Sequence, residues 1–260
     1  MLSPRQQHCL DHIGITRWTR AETNTTLPEP LLSDRAVSPQ PQLAEPRIEV
    51  FIPVSVQPAL AEKADNLKNY DLDHWPDLQL AIEACTNCEL SQNCTRKVAG
   101  KGNTQAELMI IGEAPGQDED LQGLPFVGRA GQLLDRILQA IGLNTQDVFI
   151  TNILKCRPPN NRDPKQHEAD ACAQFLSAQI KFIQPKVILS VGRISAQTLL
   201  KDHSTLGQLR TRQHVLTDAN IPLLVTYHPA YLLRNPTQKA KVWHDMKNLK
   251  LLLSEPNQSL

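Results

Sequence analysis

The chain has 260 residues, 40% of them hydrophobic, enough for one good-sized core with extensions. Lys plus Arg and Asp plus Glu stand at 27 each, so overall charge names no polyanionic partner and leaves any nucleic-acid contact to a local patch. No stretch approaches the roughly 18 apolar residues of a membrane span, and the first residues lack the apolar run of a secretory signal. A cytoplasmic protein is expected, in which the six cysteines point to metal or redox chemistry before disulfides.

Residues 3–20 read as a short amphipathic helix stopped at Gly14, followed by the aromatic anchor Trp18. Residues 21–72 read as an acidic, proline-rich linker with little fixed structure, in which Phe51 to Val56 is the one apolar island. A folded domain over 73–260 follows. It opens with a helix over Trp75 to Cys85, with Pro76 in its first turn, which delivers Cys85-x-x-Cys88. Leu108 to Ile111 is a four-residue apolar run ended by Gly112-Glu113-Ala114-Pro115-Gly116, the pattern of a buried parallel strand. Ligands in open α/β sheets sit beyond the carboxyl ends of such strands, which is where Glu113 falls. From Gln117 to Gly131 glycines and prolines predict an irregular segment able to gather Glu113, Glu119, Asp120 and Phe126 around one cavity.

Gly131 to Gly142 has helical apolar spacing with a glycine stop, and further strands are expected at Val148 to Thr151, Val187 to Val191 and Leu223 to Thr226. A long helix over Pro164 to Phe182 and a last one from Pro236 to about Leu253 complete the pattern. Alternating strands and helices predict an α/β three-layer sandwich with a central parallel sheet of about four strands flanked by helices. Each strand end then carries a polar group: Gly112-Glu113, Asn152, Gly192-Arg193 and His228. Pro229 makes a rigid loop of His228 to Arg234, with Leu232, Leu233 and Arg234 at its tip, suited to wedge into a stacked duplex. His167, His203, His214 and His244 read as solvated. Four thiolates, Cys85, Cys88, Cys156 and Cys172, suffice for tetrahedral zinc or an iron-sulfur cluster, and spacing does not choose between them; Cys9 and Cys94 read as unliganded.

The spaced matches Cys85-x-x-Cys88, Gly112 to Asp120, Gly123-x-Pro125 to Gly131, Thr151-Asn152-x-x-Lys155-Cys156-Arg157-Pro158-Pro159-x-Asn161-Arg162, Cys172 and His228-Pro229-Ala230-x-x-Leu233-Arg234 run in order over about two thirds of the chain. In these the sequence resembles the family 4 uracil-DNA glycosylases, the iron-sulfur branch of that superfamily. The resemblance implies a base-excision repair enzyme that flips uracil out of DNA and hydrolyses its N-glycosidic bond, leaving an abasic site. It implies a 4Fe-4S cluster on Cys85, Cys88, Cys156 and Cys172, structural in role. Phe126 would stack on the uracil, Asn152 bond its pyrimidine edge and His228 stabilise negative charge on a uracil oxygen. Gly112, Ala114 and Asn161 would join them in the pocket, while Glu113, Glu119 and Asp120 are candidates for orienting the water or excluding a thymine methyl. Arg129, Lys155, Arg157, Arg162, Leu232, Leu233 and Arg234 would meet DNA.

A second resemblance, of Leu10 to Trp18, is to the N-terminal peptide of the psi subunit of the bacterial DNA polymerase III clamp loader, which binds the chi subunit. It implies chi as a partner, and it supplies the alternative reading of a non-catalytic, psi-like replisome adaptor on the same fold. An adaptor has no use for Glu113, Phe126, Asn152, His228 and four cluster-spaced cysteines. A monomer without a membrane partner is expected.

Overall fold

Three of the strands are apolar on both faces, and that decides the architecture. In β2 (Leu108–Gly112), β3 (Val148–Asn152) and β4 (Val187–Val191) every residue is buried, which requires helices above and below the sheet. The computed structural model describes residues 70–254; the expected N-terminal peptide and all of the linker before Tyr70 lie outside them. Alternation along the strands sorts the core into two layers. Met109, Ile111, Phe149 and Ile188 face the long helix α4 (Gln166–Ile183), through Leu176 and Ile180. Leu108, Ile110, Val148 and Leu189 face α3 (Arg129–Ala140) and the terminal helix α8 (Lys239–Ser254), through Leu134, Leu138, Val242 and Met246. A smaller cluster seats α1 (Trp75–Ala84) on α4, with Leu78 and Ile82 against Phe175.

The three-layer α/β sandwich is as expected, and its sheet is larger and mixed. With β1 (Lys101–Gly102), β5 (His214–Leu216) and β6 (Ile221–Thr226), the described residues give six strands in the order β1-β3-β2-β4-β6-β5. The inner four, β3, β2, β4 and β6, are parallel, whereas β1 and β5 pair antiparallel at the two edges. Two- and three-residue strands are too short to show a period, so the sequence pattern passes over both. His214, read as solvated, is part of β5, and its Nε2 lies 2.7 Å from the Leu209 carbonyl in α6 (Leu206–Arg210).

Two segments read as irregular are helical. Gln117–Gln122 forms the short helix α2, and α3 begins at Arg129 rather than Gly131. His228 to Arg234 is no loop tip: Pro229–Arg234 forms the helix α7, with Pro229 in its first turn and the His228 ring as its N-cap. Arg193–Leu200, α5, follows β4 directly.

Candidate active site

The carboxyl ends of the four parallel strands bring Gly112, Asn152, Gly192 and Thr226 to one edge of the sheet. Gly112 and Asn152 are register partners, and the chain beyond each strand stays paired, with Ile153 N–H donating to Gly112 O and Leu154 N–H to Glu113 O, both at 3.0 Å. This rung fixes Asn152, whose side chain is buried, beside the turn that carries Glu113. Gly112 must lack a side chain. A Cβ there would run into Asn152 Oδ1 and come within 2.8 Å of the Phe126 ring. Glycine, amide and phenyl ring are thus packed in direct contact.

Phe126 faces a second ring: its centroid lies 5.6 Å from that of His228, with the planes inclined by 31°. Nδ1 of His228 accepts the Ala230 N–H at 3.1 Å, which places the proton of the neutral ring on Nε2. Burial, with Arg234 nearby, holds the imidazole down at about 4 against the pull of Glu119, so it is a neutral Nε2–H donor near pH 7. The approach to His228 is rigid. Arg210 Nε and Thr226 Oγ1 both donate to Asp245 Oδ2 at 2.7 Å, the Arg210 guanidinium covers the Tyr227 ring at 5.4 Å, and Tyr227 stacks on Tyr231 at 5.2 Å. Tyr231 therefore belongs to the wall behind the histidine.

Glu113 is half-buried beside an ion pair, Arg193 to Asp163 at 2.7 Å. Burial first and the Asp163 charge second push its carboxyl up to about 7, while Arg193 opposes them. Neither Asp163 nor Arg193 was among the site residues expected from the sequence; only the strand-end position of Arg193 pointed that way.

Several expected roles change. Glu119 receives N–H bonds from Gly116, Val127 and Gly128 at 3.1, 3.1 and 3.2 Å, and Asp120 is buried with Oδ1 accepting the Thr95 N–H at 2.9 Å. Both carboxylates are committed to backbone donors. Lys155 cannot reach a phosphate: it is 2% exposed, and its ammonium donates to Asn152 O, Thr151 Oγ1 and Gln179 Oε1 at 2.8, 2.8 and 2.7 Å. Burial draws its pKa down to about 7. Leu232 is no wedge, being wholly buried on the inner face of α7, whereas Leu233 is 39% exposed and Arg234 is exposed beside it. Arg162 is held by Glu168, at 2.9 and 2.5 Å, and Asn161 by Arg157 at 2.8 Å on an exposed turn. Arg129 is exposed on the first turn of α3, and Ala114 is partly buried after Glu113.

Cys85, Cys88, Cys156 and Cys172 converge, and Cys94 joins them with its Sγ 3.2 Å from that of Cys156. Burial raises Cys85, and raises Cys172 to about 11; the bond with Cys94 leads in raising Cys156, and lowers Cys94 to about 7. Thiols gathered out of water need a cation to ionise together, and the gathering is all sulfur. Among the described residues no three His, Cys, Asp or Glu side chains stand as the ligands of a single metal ion.

The model of the uracil DNA glycosylase superfamily matches residues 99–247. Similar proteins include the Type-4 uracil-DNA glycosylases of Archaeoglobus fulgidus, 39% identical over 68% of this chain and 92% of that protein, and of Saccharolobus solfataricus, 43% identical over 66% and 83%. That of Thermotoga maritima is 38% identical over 67% and 92%. With the strand-end site and this match over more than half its length, the chain belongs to the uracil DNA glycosylase superfamily.

Proposed function

We propose that this DNA-repair glycosylase takes a uracil flipped out of DNA between Phe126 and Asn152 and hydrolyses its N-glycosidic bond. The observation that carries the reading is the packing of Gly112, Asn152 and Phe126 against one another with the neutral His228 opposite. Breaking the bond leaves electron density on the uracil and positive charge on the sugar, so the site needs a donor at the base and a carboxylate and water near the sugar. His228 Nε2–H serves the uracil oxygen, a neutral donor preorganised by its cap bond. The Asn152 amide, donor and acceptor in one, reads the pyrimidine edge. Ionised Glu113 orients the water, Arg193 steadies its charge, and Ala114 lines the pocket beside it. Extrahelical capture also gives selectivity, because a mispaired uracil unstacks at lower cost.

Arg129, Arg157 and Arg234 are assigned to phosphates and Leu233 to the gap left in the stack. The donor set fits a 4Fe-4S cluster on Cys85, Cys88, Cys156 and Cys172. Once bound, it would tie α1, the loop after β3, and α4 together in a structural role. We further assign a cytoplasmic, monomeric protein that acts on cellular DNA, and chi docking to Leu10 to Trp18, outside the described residues. The linker would then hold the enzyme near the replisome.

The test is uracil release from a uracil-containing oligonucleotide by the iron-loaded protein. Wild type releases uracil, and Asn152→Ala and His228→Ala lose most of the rate. An inactive wild type, or an Asn152→Ala variant equal to it, overturns the reading. Purified chi should bind wild type and not Trp18→Ala; equal binding ends the docking assignment.

A further inference from the structure

Phe126 has a left-handed backbone, φ 51°, a conformation that a bulky side chain keeps only where its surroundings impose it. Three neighbours impose it here. Glu119 Oε1 takes the N–H groups of the next two residues, Val127 and Gly128. Gly131 of α3 lies so close that an added Cβ would strike the Phe126 carbonyl. From the edge of the sheet, Lys101 Nζ donates to that same carbonyl at 3.1 Å. Lys101 is aimed by β1, whose antiparallel pairing sets it opposite Ile150, two residues before Asn152. Glu119 and Asp135 supply the negative charge around it.

We infer that Lys101 is a positioning residue for the base: by holding the Phe126 carbonyl it keeps the left-handed turn closed and the ring aimed across the pocket. The inference rests on the stacking role given to Phe126 above. It assigns the short β1 strand a task in substrate recognition, reached through the backbone of another residue. Lys101 does not touch the uracil.

A double-mutant cycle tests it, with Lys101→Ala, Phe126→Ala and the double variant, reading kcat, KM and inhibition by free uracil in holoprotein of verified iron content. The expected result is that Lys101→Ala raises KM and the uracil inhibition constant together by about three- to tenfold, the range of one net intramolecular hydrogen bond. Lys101→Arg, which keeps a donor, should return both to within about twofold, and Lys101→Ala should add nothing once Phe126 is alanine. Lys101→Met, which keeps the length and removes the donor, runs the same cycle should the alanine variant prove unstable. If Lys101→Ala costs as much in the Phe126→Ala background, or leaves uracil inhibition unchanged while lowering the salt dependence of DNA binding by about one counterion, Lys101 is a phosphate contact and the inference is wrong. A Phe126→Ala variant with unaltered uracil inhibition removes the stacking role itself, and that outcome is read separately from the Lys101 variants.

Discussion

Replacing Glu113 by glutamine should make the protein more stable and nearly inactive, and the stability gain should depend on pH in one direction only. The folded-state pKa of Glu113 is raised from 4.5 to about 7, so the fold favours the protonated carboxyl. Its contribution is therefore fully present below pH 4.5 and is lost as pH rises through about 7. At pH 8 almost the whole difference is felt. With about 1.4 kcal/mol per pKa unit, and an allowance for water reaching a carboxyl that is only partly buried, the charge costs the fold about 2–3 kcal/mol. At pH 5 the cost is below about 1 kcal/mol. Glutamine keeps the shape and carries no charge, so thermal unfolding of Glu113→Gln at pH 8 should exceed wild type by at least about 4 °C, at 2–4 °C per kcal/mol for a domain of this size, and the gap should shrink markedly at pH 5. The same substitution removes the group assigned to the water, so single-turnover uracil release should fall by roughly 10²–10⁴. Wild-type kcat/KM should rise through pH 7 as Glu113 ionises. A stability difference equal at both pH values, or a variant with near-normal turnover, would refute this account of the carboxylate.

Gly112→Ala should cut kcat/KM by about 10²-fold, because its Cβ must displace either Asn152 Oδ1 or the Phe126 ring; uracil-release kinetics near wild type would show that the three are not tightly packed. Lys155→Met should lose about 3 kcal/mol or more in denaturant unfolding, since three buried oxygens each lose a donor, and an unchanged midpoint would count against the buried ammonium. Iron analysis should separate the cysteines: Cys172→Ala loses the metal and the absorbance near roughly 400 nm expected of cysteinyl iron, whereas Cys94→Ser keeps about four irons per chain. A colourless, zinc-loaded wild type would overturn the cluster. In a proton NMR titration the His228 ring should stay neutral down to about pH 5, in line with a pKa of about 4; protonation near 6.5 would contradict its burial.

Three inner strands were legible because burial on both faces leaves a nearly unbroken apolar run, the half-buried β6 was legible from Leu223-Leu224-Val225, and the polar residues that follow these runs mark the site directly. Glu113, Asn152 and His228 could be found in this way. What the sequence hides is commitment. A lysine in the run Lys155-Cys156-Arg157 reads as a solvated cation, and only the fold shows it turned inward onto Asn152 O and Gln179. Glu119 and Asp120 look like site carboxylates until their backbone donors are seen, and Leu232 and Leu233 look alike until α7 buries one and exposes the other. The two edge strands and Lys101 escape because two or three residues carry no period. Cys94 escapes because its approach to Cys156 spans 62 positions.

The brevity of those edge strands has a consequence for how the protein behaves in a crowded solution. A parallel interior of four strands, if left open at its sides, would present two long rows of unpaired amides and carbonyls on which a neighbouring chain could zip itself. Here the rows are closed by antiparallel pieces of two and three residues, after which the backbone turns away. So short a template offers a stranger too few rungs to hold, and sheet-to-sheet aggregation is discouraged, with Lys101 adding a charge at the β1 margin.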